Sequence, residues 1–529
     1  MIPRQWFFIL ASLSLLVVAA LSLIGHDILW TLLVIGPLVV VGLYDAVISK
    51  HNVLRNYPLI GHGRYFAEFI RPNIQQYFIN TNQSGRPYSR ETRDLVNARA
   101  EGGEALLPFG TQHDLMVEGD DFMLHSINVK HVGEEAGRVL IGGPDCLKPY
   151  DASRLNVSSM SFGSLSARAV FAINTGAKQA GCWQDTGEGS LSLHHLEGGG
   201  DLVWQLGTGY FGCRTLEGDF DPEVFAKKSR HDQVKMISIK LSQGAKPSHG
   251  GVLPAAKITP EIARIRGIPM GQDCLSPPTH SAFATPRELL AFVAQLRELS
   301  EGKPVGFKLC VGDRSEFLGI VKAMQETGIK PDFIQVDGAE GGTGAAPLEF
   351  TNRLGTPINE GLAFVHDALV GAGLRDDIRL IASGKIATGF DMITKMALGA
   401  DICVAARAFM FTVGCIQALQ CHSNTCPTGV ATQDWHRTRA LRVKDKAPRV
   451  ANYHRRTLET FRDLLGAIGL DHPDQLRRRH IKHRSDNLTA QGYDEIYPLV
   501  ADGALLSGNI PESMAADWAA AGPDHFGQS

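Results

Sequence analysis

Neither sign of charge predominates here. The sequence has 52 lysines and arginines against 55 aspartates and glutamates, a formal net of −3, which gives no basic field for nucleic acid. Low-complexity tracts and short-period repeats are absent, and a solenoid is excluded with them. Cysteine is sparse, at nine in 529 residues. An odd count with one dense cluster does not make a disulfide framework. No Gly-x-Gly-x-x-Gly follows an early strand pattern, so a nicotinamide dinucleotide fold is not indicated. What remains is ordinary globular composition, with 44% hydrophobic and 20% charged residues.

The first fifty residues stand apart. Trp6 to Ile24 carries no charge, and neither does Ile28 to Tyr44. About 20 apolar residues span a bilayer as a helix, and Gly25-His26-Asp27 between the runs forces a hairpin. A cleaved signal peptide is the competing reading, opposed by the second apolar run. Arg4 precedes the pair, Lys50, Arg55, Arg64 and Arg71 follow it, and the turn has no Lys or Arg. Both ends are therefore expected on the cytoplasmic side of the inner membrane, with the rest of the chain in a reducing compartment.

We expect four regions: a transmembrane hairpin over 1–49, a mixed pre-barrel subdomain over 50–150, a barrel over 151–440 and a helical extension over 441–529. From Leu155 to Val404 short β-rich runs alternate with Gly-rich loops and helical patterns. The strands expected include Leu155–Met160, Met236–Leu241, Val305–Leu309, Phe333–Val336, Arg379–Ala382 and Ile402–Ala405. A doubly wound sheet has the same local rhythm. The unusual residues, however, all sit just after strands, and in a (β/α)8 barrel those loops converge on one face. The fold class predicted is thus α/β, a TIM-type barrel.

Ser383-Gly-Lys385 and Ala406-Arg407 end the last two strands of the clearest βαβ unit. Glycine there lets backbone N–H groups approach an anion, and these loops commonly hold a phosphate. Gly384, Lys385, Ala406 and Arg407 are candidates for the phosphate of FMN, against the alternative of an ordinary glycine turn. Lys308, ending its strand, suits the flavin pyrimidine edge, where negative charge builds on reduction; alternatively it is a solvated charge. Met160, Ser161, Gly163, Asp337, Gly341, Gly342, Thr343 and Ser383 complete the candidate flavin contacts. Electrons are then expected from another protein or a membrane carrier.

Cys415, Cys421 and Cys426, the last followed by proline, have the C-x5-C-x4-C spacing of an iron–sulfur ligand set, and three ligands suggest 3Fe–4S. Zinc held with His422 competes, although adjacent ligands at 421 and 422 strain one tetrahedral ion. Three coincidental buried thiols are the third reading.

From about Leu147 to Arg437 the chain resembles the FMN-binding domain of glutamate synthase, in its short, stand-alone, membrane-associated form. The residues that carry this are Met160-Ser-Phe-Gly-Ser164, Thr186-Gly-Glu-Gly189, Gln243-Gly-Ala-Lys-Pro247 with Gly250-Gly251, Ile258-Thr-Pro-Glu-Ile262, Ser276-Pro-Pro278, Gly341-Gly-Thr-Gly344 and Cys421-His-Ser-Asn-Thr-Cys-Pro-Thr-Gly-Val-Ala-Thr-Gln433. The resemblance implies that 2-oxoglutarate and ammonia form 2-iminoglutarate, which takes a hydride from reduced FMN. It also places the three cluster cysteines on Cys415, Cys421 and Cys426. Lys246 would pair with a substrate carboxylate, Gln243 would hydrogen-bond it, and Glu188 would handle protons. A structural ion pair at the barrel mouth is the alternative for Glu188 and Lys246.

Two departures from the family pattern stand out. The full enzymes begin with a glutamine-hydrolysing cysteine, whereas this chain begins Met1-Ile-Pro, so nitrogen is expected as free ammonia or from a separate glutaminase. Ser190 replaces a common glycine, which leaves another amine or 2-oxo acid open as substrate. A protein such as a ferredoxin, or a membrane electron carrier, is the expected electron source. A non-catalytic membrane-tethered redox sensor or scaffold remains the contrasting reading.

Overall fold

Short, mostly apolar runs that alternate with helical segments give eight parallel strands. The structure is a computed structural model and describes residues 3–527. It comprises two compact units, 1–91 and 92–529.

In the first unit, α1 (Pro3–Ser22) and the helical stretch His26–Ile48, which contains α2 (Leu32–Leu43), are each long and apolar enough to cross a membrane. Their mean hydropathies are 2.0 and 2.2. Gly42 near the end of one lies against Phe7 near the start of the other; a Cβ there would come within 2.2 Å of the ring. The two helices therefore run antiparallel, as a hairpin. Next comes α3 (His62–Ile74), prolonged by one wider turn, Gln75–Ile79.

In the second unit the strands are β1 (Leu155–Val157), β2 (Gln184–Asp185), β3 (Leu202–Leu206), β4 (Val234–Lys240), β5 (Val305–Leu309), β6 (Phe333–Asp337), β7 (Arg379–Ser383) and β8 (Ile402–Ala405). They pair in sequence order, and β8 closes on β1 through Cys403 opposite Leu155. The expected TIM-type barrel is what forms. An antiparallel hairpin, Arg138–Ile141 with Tyr150–Ser153, precedes the barrel. Its Ile141, Tyr150 and Ala152 form one buried cluster with Trp183, Met236, Phe333 and Ile402, residues at or near strand starts. Packing there closes the amino-terminal end, which leaves the carboxyl-terminal mouth for chemistry.

Flanking segments belong to this unit. α4 (Ala167–Ala180) starts on a Ser166 cap and stops at left-handed Gly181. It packs on α5 (Val443–Ala467) so closely that a Cβ on Gly176 would lie 2.4 Å from Val450. From α5, His454 bonds Ser153 and the Leu155 carbonyl at 2.9 Å. The strands Ile481–Arg484 and Ala490–Gly492 extend a small sheet begun by Asp121–Met123.

Candidate active site

At the carboxyl ends of the strands two polar clusters meet. The first joins Ser159, just beyond β1, with Asp185, Gln205 and Lys308 on β2, β3 and β5. The Ser159 hydroxyl donates to Asp185 at 2.8 Å and receives Gln205 Nε2 at 2.8 Å and Lys308 Nζ at 3.1 Å. Lys308 also pairs with Asp337, at the end of β6, at 3.5 Å. Burial pushes the Asp185 carboxyl up, and the Lys308 charge works against that.

The second cluster centres on Glu188, in a single tight turn, Gly187–Gly189. Gly187 donates to Asp185 Oδ1 at 2.8 Å, so the turn hangs from the first cluster. The carboxylate sits between two glycines: a Cβ on Gly251 would lie 2.0 Å from Oε1, and one on Gly207 would lie 2.7 Å from Oε2. Glycine leaves room for the carboxylate there, which is the physical reason for Gly251 in the motif; Gly250 instead lies against the Ser276 carbonyl, 2.1 Å from where its Cβ would be. Lys240, the last residue of β4, pairs with Glu188 at 3.3 Å. Burial alone would raise this carboxyl, but Lys240, Arg266 and Lys246 hold it below the usual carboxylate range. Burial lowers Lys246 to about 8, with Glu188 opposing and Lys240 adding to the effect. Glu188, Lys240, Gln243, Lys246 and His249 line one cleft. The cleft offers ammonium groups to an anionic ligand and an ionised carboxylate as proton acceptor.

The remaining candidates fall around this mouth. Met160, Ser161 and Gly163 form the loop after β1, where Arg266 donates to the Phe162 carbonyl at 3.1 Å. Asp337 is followed by Gly341, Gly342 and Thr343 in the loop after β6. Arg407, from the β8 end, reaches that loop and donates to the Glu340 carbonyl at 2.6 Å. A Cβ on Gly342 would lie 2.7 Å from Arg407 Nε, so this approach requires glycine. Ser383 pairs with Val404 across β7 and β8, which brings Gly384 and Lys385 beside Ala406 and Arg407. Lys385 holds φ at 51°, the left-handed turn that lifts the loop away from the strand. The amides of Gly384 and Ala406 have no backbone acceptor among the described residues, so this corner presents donors and suits a phosphate.

The cysteine segment lies against the loop after β1. Gln433 Nε2 donates to the Gly163 and Leu165 carbonyls at 3.0 and 2.8 Å. Lys257 Nζ bridges the Ser164 and Cys421 carbonyls at 2.7 and 3.1 Å. Asn424 fixes the turn, accepting from Gln433 N at 2.7 Å and donating to the Ala256 carbonyl at 2.9 Å. Cys415, Cys421 and Cys426 feel one another electrostatically: burial raises Cys415 to about 12, and the charges of the other two add to that. Burial also acts upward on Cys426, but the N–H groups of Ala431, Thr428 and Val430 and the Thr428 hydroxyl bring it below its ordinary value. Of the three, Cys426 alone has donors that outweigh burial and favour the thiolate, the form that ligates iron. Among the described residues no three His, Cys, Asp or Glu are arranged for a single metal ion.

Sequence reasoning missed Ser159, Asp185, Gln205, Lys240, Lys257 and Arg266. Lys240 carried a usable signal, since it ends a strand just before Gln243-Gly-Ala-Lys246, as Lys308 ends its own. Arg266 carried none, because only the fold brings it to Ser161. Ser190 holds φ at 75° and is fully buried. Its positive φ is a backbone conformation that glycine adopts most readily, and its side chain is not among those lining the cleft.

Residues 146–471 match the family model described as the conserved region in glutamate synthase. The chain is 36% identical over 488 residues to the glutamate synthase large subunit-like protein YerD of Bacillus subtilis (strain 168), covering 83% of this chain and 91% of that one. It is 34% identical over 322 residues to the archaeal glutamate synthase [NADPH] of Methanocaldococcus jannaschii, covering 61% of this chain and 60% of that one. With the ferredoxin-dependent glutamate synthase of Cyanidium caldarium it shares 32% over 361 residues, covering 63% of this chain but 22% of that one. Family match, closed barrel and charged mouth agree: this chain belongs to the glutamate synthase family of oxidoreductases.

Proposed function

We propose that the protein reduces 2-iminoglutarate, formed from 2-oxoglutarate and ammonia, to L-glutamate. The reading is carried by the cleft in which Glu188 is held ionised between Lys240, Lys246 and Arg266, within a family match that spans the whole barrel. When bound, FMN supplies the hydride and a 3Fe–4S cluster passes it electrons. The amides of Gly384 and Ala406, with Lys385 and Arg407, would hold the flavin phosphate, and Lys308 would face its pyrimidine edge. Met160, Ser161, Gly163, Asp337, Gly341, Gly342, Thr343 and Ser383 would line the rest of the flavin site. Cys415, Cys421 and Cys426 would hold the cluster.

The chain's own groups do the rest. Lys246 neutralises a 2-oxoglutarate carboxylate, and Gln243 orients the chain by a hydrogen bond. Glu188 accepts a proton from the nitrogen as ammonia adds to the carbonyl. Glu188 hands that proton to the carbonyl oxygen to make the carbinolamine hydroxyl. A neighbouring ammonium, Lys240 or Lys246, then protonates the hydroxyl, water leaves as the nitrogen lone pair closes the C=N bond, and the iminium proton returns to the lysine. Two electrons and two protons then convert imine to amine.

Nitrogen arrives as free ammonia or from a separate glutaminase, and electrons from a ferredoxin-like protein or a membrane carrier. The apolar hairpin holds the enzyme in the inner membrane with its catalytic unit on the cytoplasmic face. In the test, purified full-length protein is incubated with 2-oxoglutarate, ammonium and a reduced ferredoxin, and its visible spectrum is taken before and after dithionite. Glutamate formation with flavin and iron–sulfur bands bears the reading out. A colourless protein, or a coloured one that makes no glutamate, overturns it.

A further inference from the structure

We propose that the segment 62–79, α3 and its terminal turn, lies along the surface of an anionic bilayer immediately beyond the apolar hairpin. This rests on the reading of the hairpin as membrane-spanning. Within α3, at 100° per residue, Phe66, Phe69, Ile70 and Ile74 fall on one face, and Arg64, Glu68 and Arg71 fall on the other, a polar face that Gln75 continues at its end. The polar face is satisfied in itself, with Arg64 paired to Glu68 at 3.0 Å.

The apolar face is left uncovered. Phe66 is 64% exposed and Phe69 is 76% exposed, and the helix buries none of its residues. By contrast, the similarly amphipathic helix Pro286–Leu299 buries Leu289, Leu290, Phe292, Val293 and Leu296. A run of exposed aromatics this large marks an interaction surface.

Two observations select lipid as the occupant. The segment is pinned to the end of the second apolar helix. Asp45 there is fully buried, accepts the Leu59 amide at 3.0 Å and pairs with His62 Nε2 at 2.9 Å. The segment therefore starts at the level where that helix would leave the hydrocarbon. Charge agrees as well. From 49 to 79 the chain carries Lys50, Arg55, Arg64 and Arg71 against Glu68 alone, an attraction to anionic headgroups. Aromatic residues on one face and basic ones on the other describe an interfacial helix.

The test places a photo-cross-linking residue in the full-length protein in nanodiscs of phosphatidylethanolamine and phosphatidylglycerol. Three variants are compared: Phe69→p-benzoylphenylalanine, Gln75→p-benzoylphenylalanine and Leu38→p-benzoylphenylalanine. Leu38 and Phe69 are expected to label phospholipid, with Gln75 labelling about 5-fold less, as an interfacial helix requires. Lipid labelling at Leu38 with Phe69 no better than Gln75 overturns the inference and leaves the hairpin reading standing. Cross-links from Phe69 to a second copy of the chain overturn it likewise. No lipid label at Leu38 overturns the hairpin reading, and this inference with it.

Discussion

Replacing Lys240 by methionine tests the charge arrangement at the mouth without changing the barrel's shape. Lys240 and Glu188 are 3.3 Å apart, with side chains 10% and 17% exposed, so the pair is shielded from water. Removing one partner of a buried pair costs about 3–5 kcal/mol, because the other charge is left uncompensated. Lys246 and Arg266 still face Glu188, which sets the expectation at the low end, about 3 kcal/mol. Unfolding entropy of about 2.1 cal/mol/K per residue over roughly 440 residues gives about 0.9 kcal/mol/K, so the melting temperature falls by about 3 °C at pH 7.

The pH dependence has a definite sign. In the wild type Glu188 titrates below its ordinary value of 4.5. Its pairing contributes stability above that value, which is lost as pH falls through the folded one. The deficit of Lys240→Met should therefore be full at pH 7 and shrink as acid neutralises Glu188. Lys240→Met/Glu188→Gln, which removes both charges, should recover most of the loss. Calorimetry of the three proteins at pH 7 and at a pH below 4.5 decides the matter. Equal destabilisation of single and double variants at pH 7 would refute the coupling and the site built on it.

Lys246→Met should raise KM for 2-oxoglutarate by about 30-fold or more, the worth of one charged hydrogen bond. Because Lys246 loses its proton near pH 8, wild-type affinity should decline as pH rises through that value, and the variant should lack this decline. Cys421→Ser should remove iron and acid-labile sulfide together, read by metal analysis, while flavin absorbance persists. Gly306→Ala would place a Cβ 2.1 Å from the Phe333 carbonyl, pushing β5 from β6; overpacking of this kind costs about 3 kcal/mol, visible as a lower melting temperature.

Much of this site was open to reading from local order alone. Lys308, Asp337, Ser383-Gly-Lys385 and Ala406-Arg407 each end or follow a short apolar run, and ends of parallel strands share one side of a sheet. Glu188 and Lys246 lie in glycine-rich loops whose composition marks close approach. Arg266 and Lys257 gave no such sign, because each acts on a loop about a hundred residues away in sequence, at Phe162 and Ser164.

The sequence by itself determined the strand–loop rhythm, the two uncharged helices and the spacing of three cysteines, since these depend on periodicity and composition over a few turns of chain. Only the tertiary structure decided that the sheet closes through β8 and β1, that the hairpin before the barrel joins the cluster at its base, and that Lys240 rather than a distant charge holds Glu188 ionised. Ring closure and charge pairing depend on distances between residues far apart in the chain, and packing sets those distances.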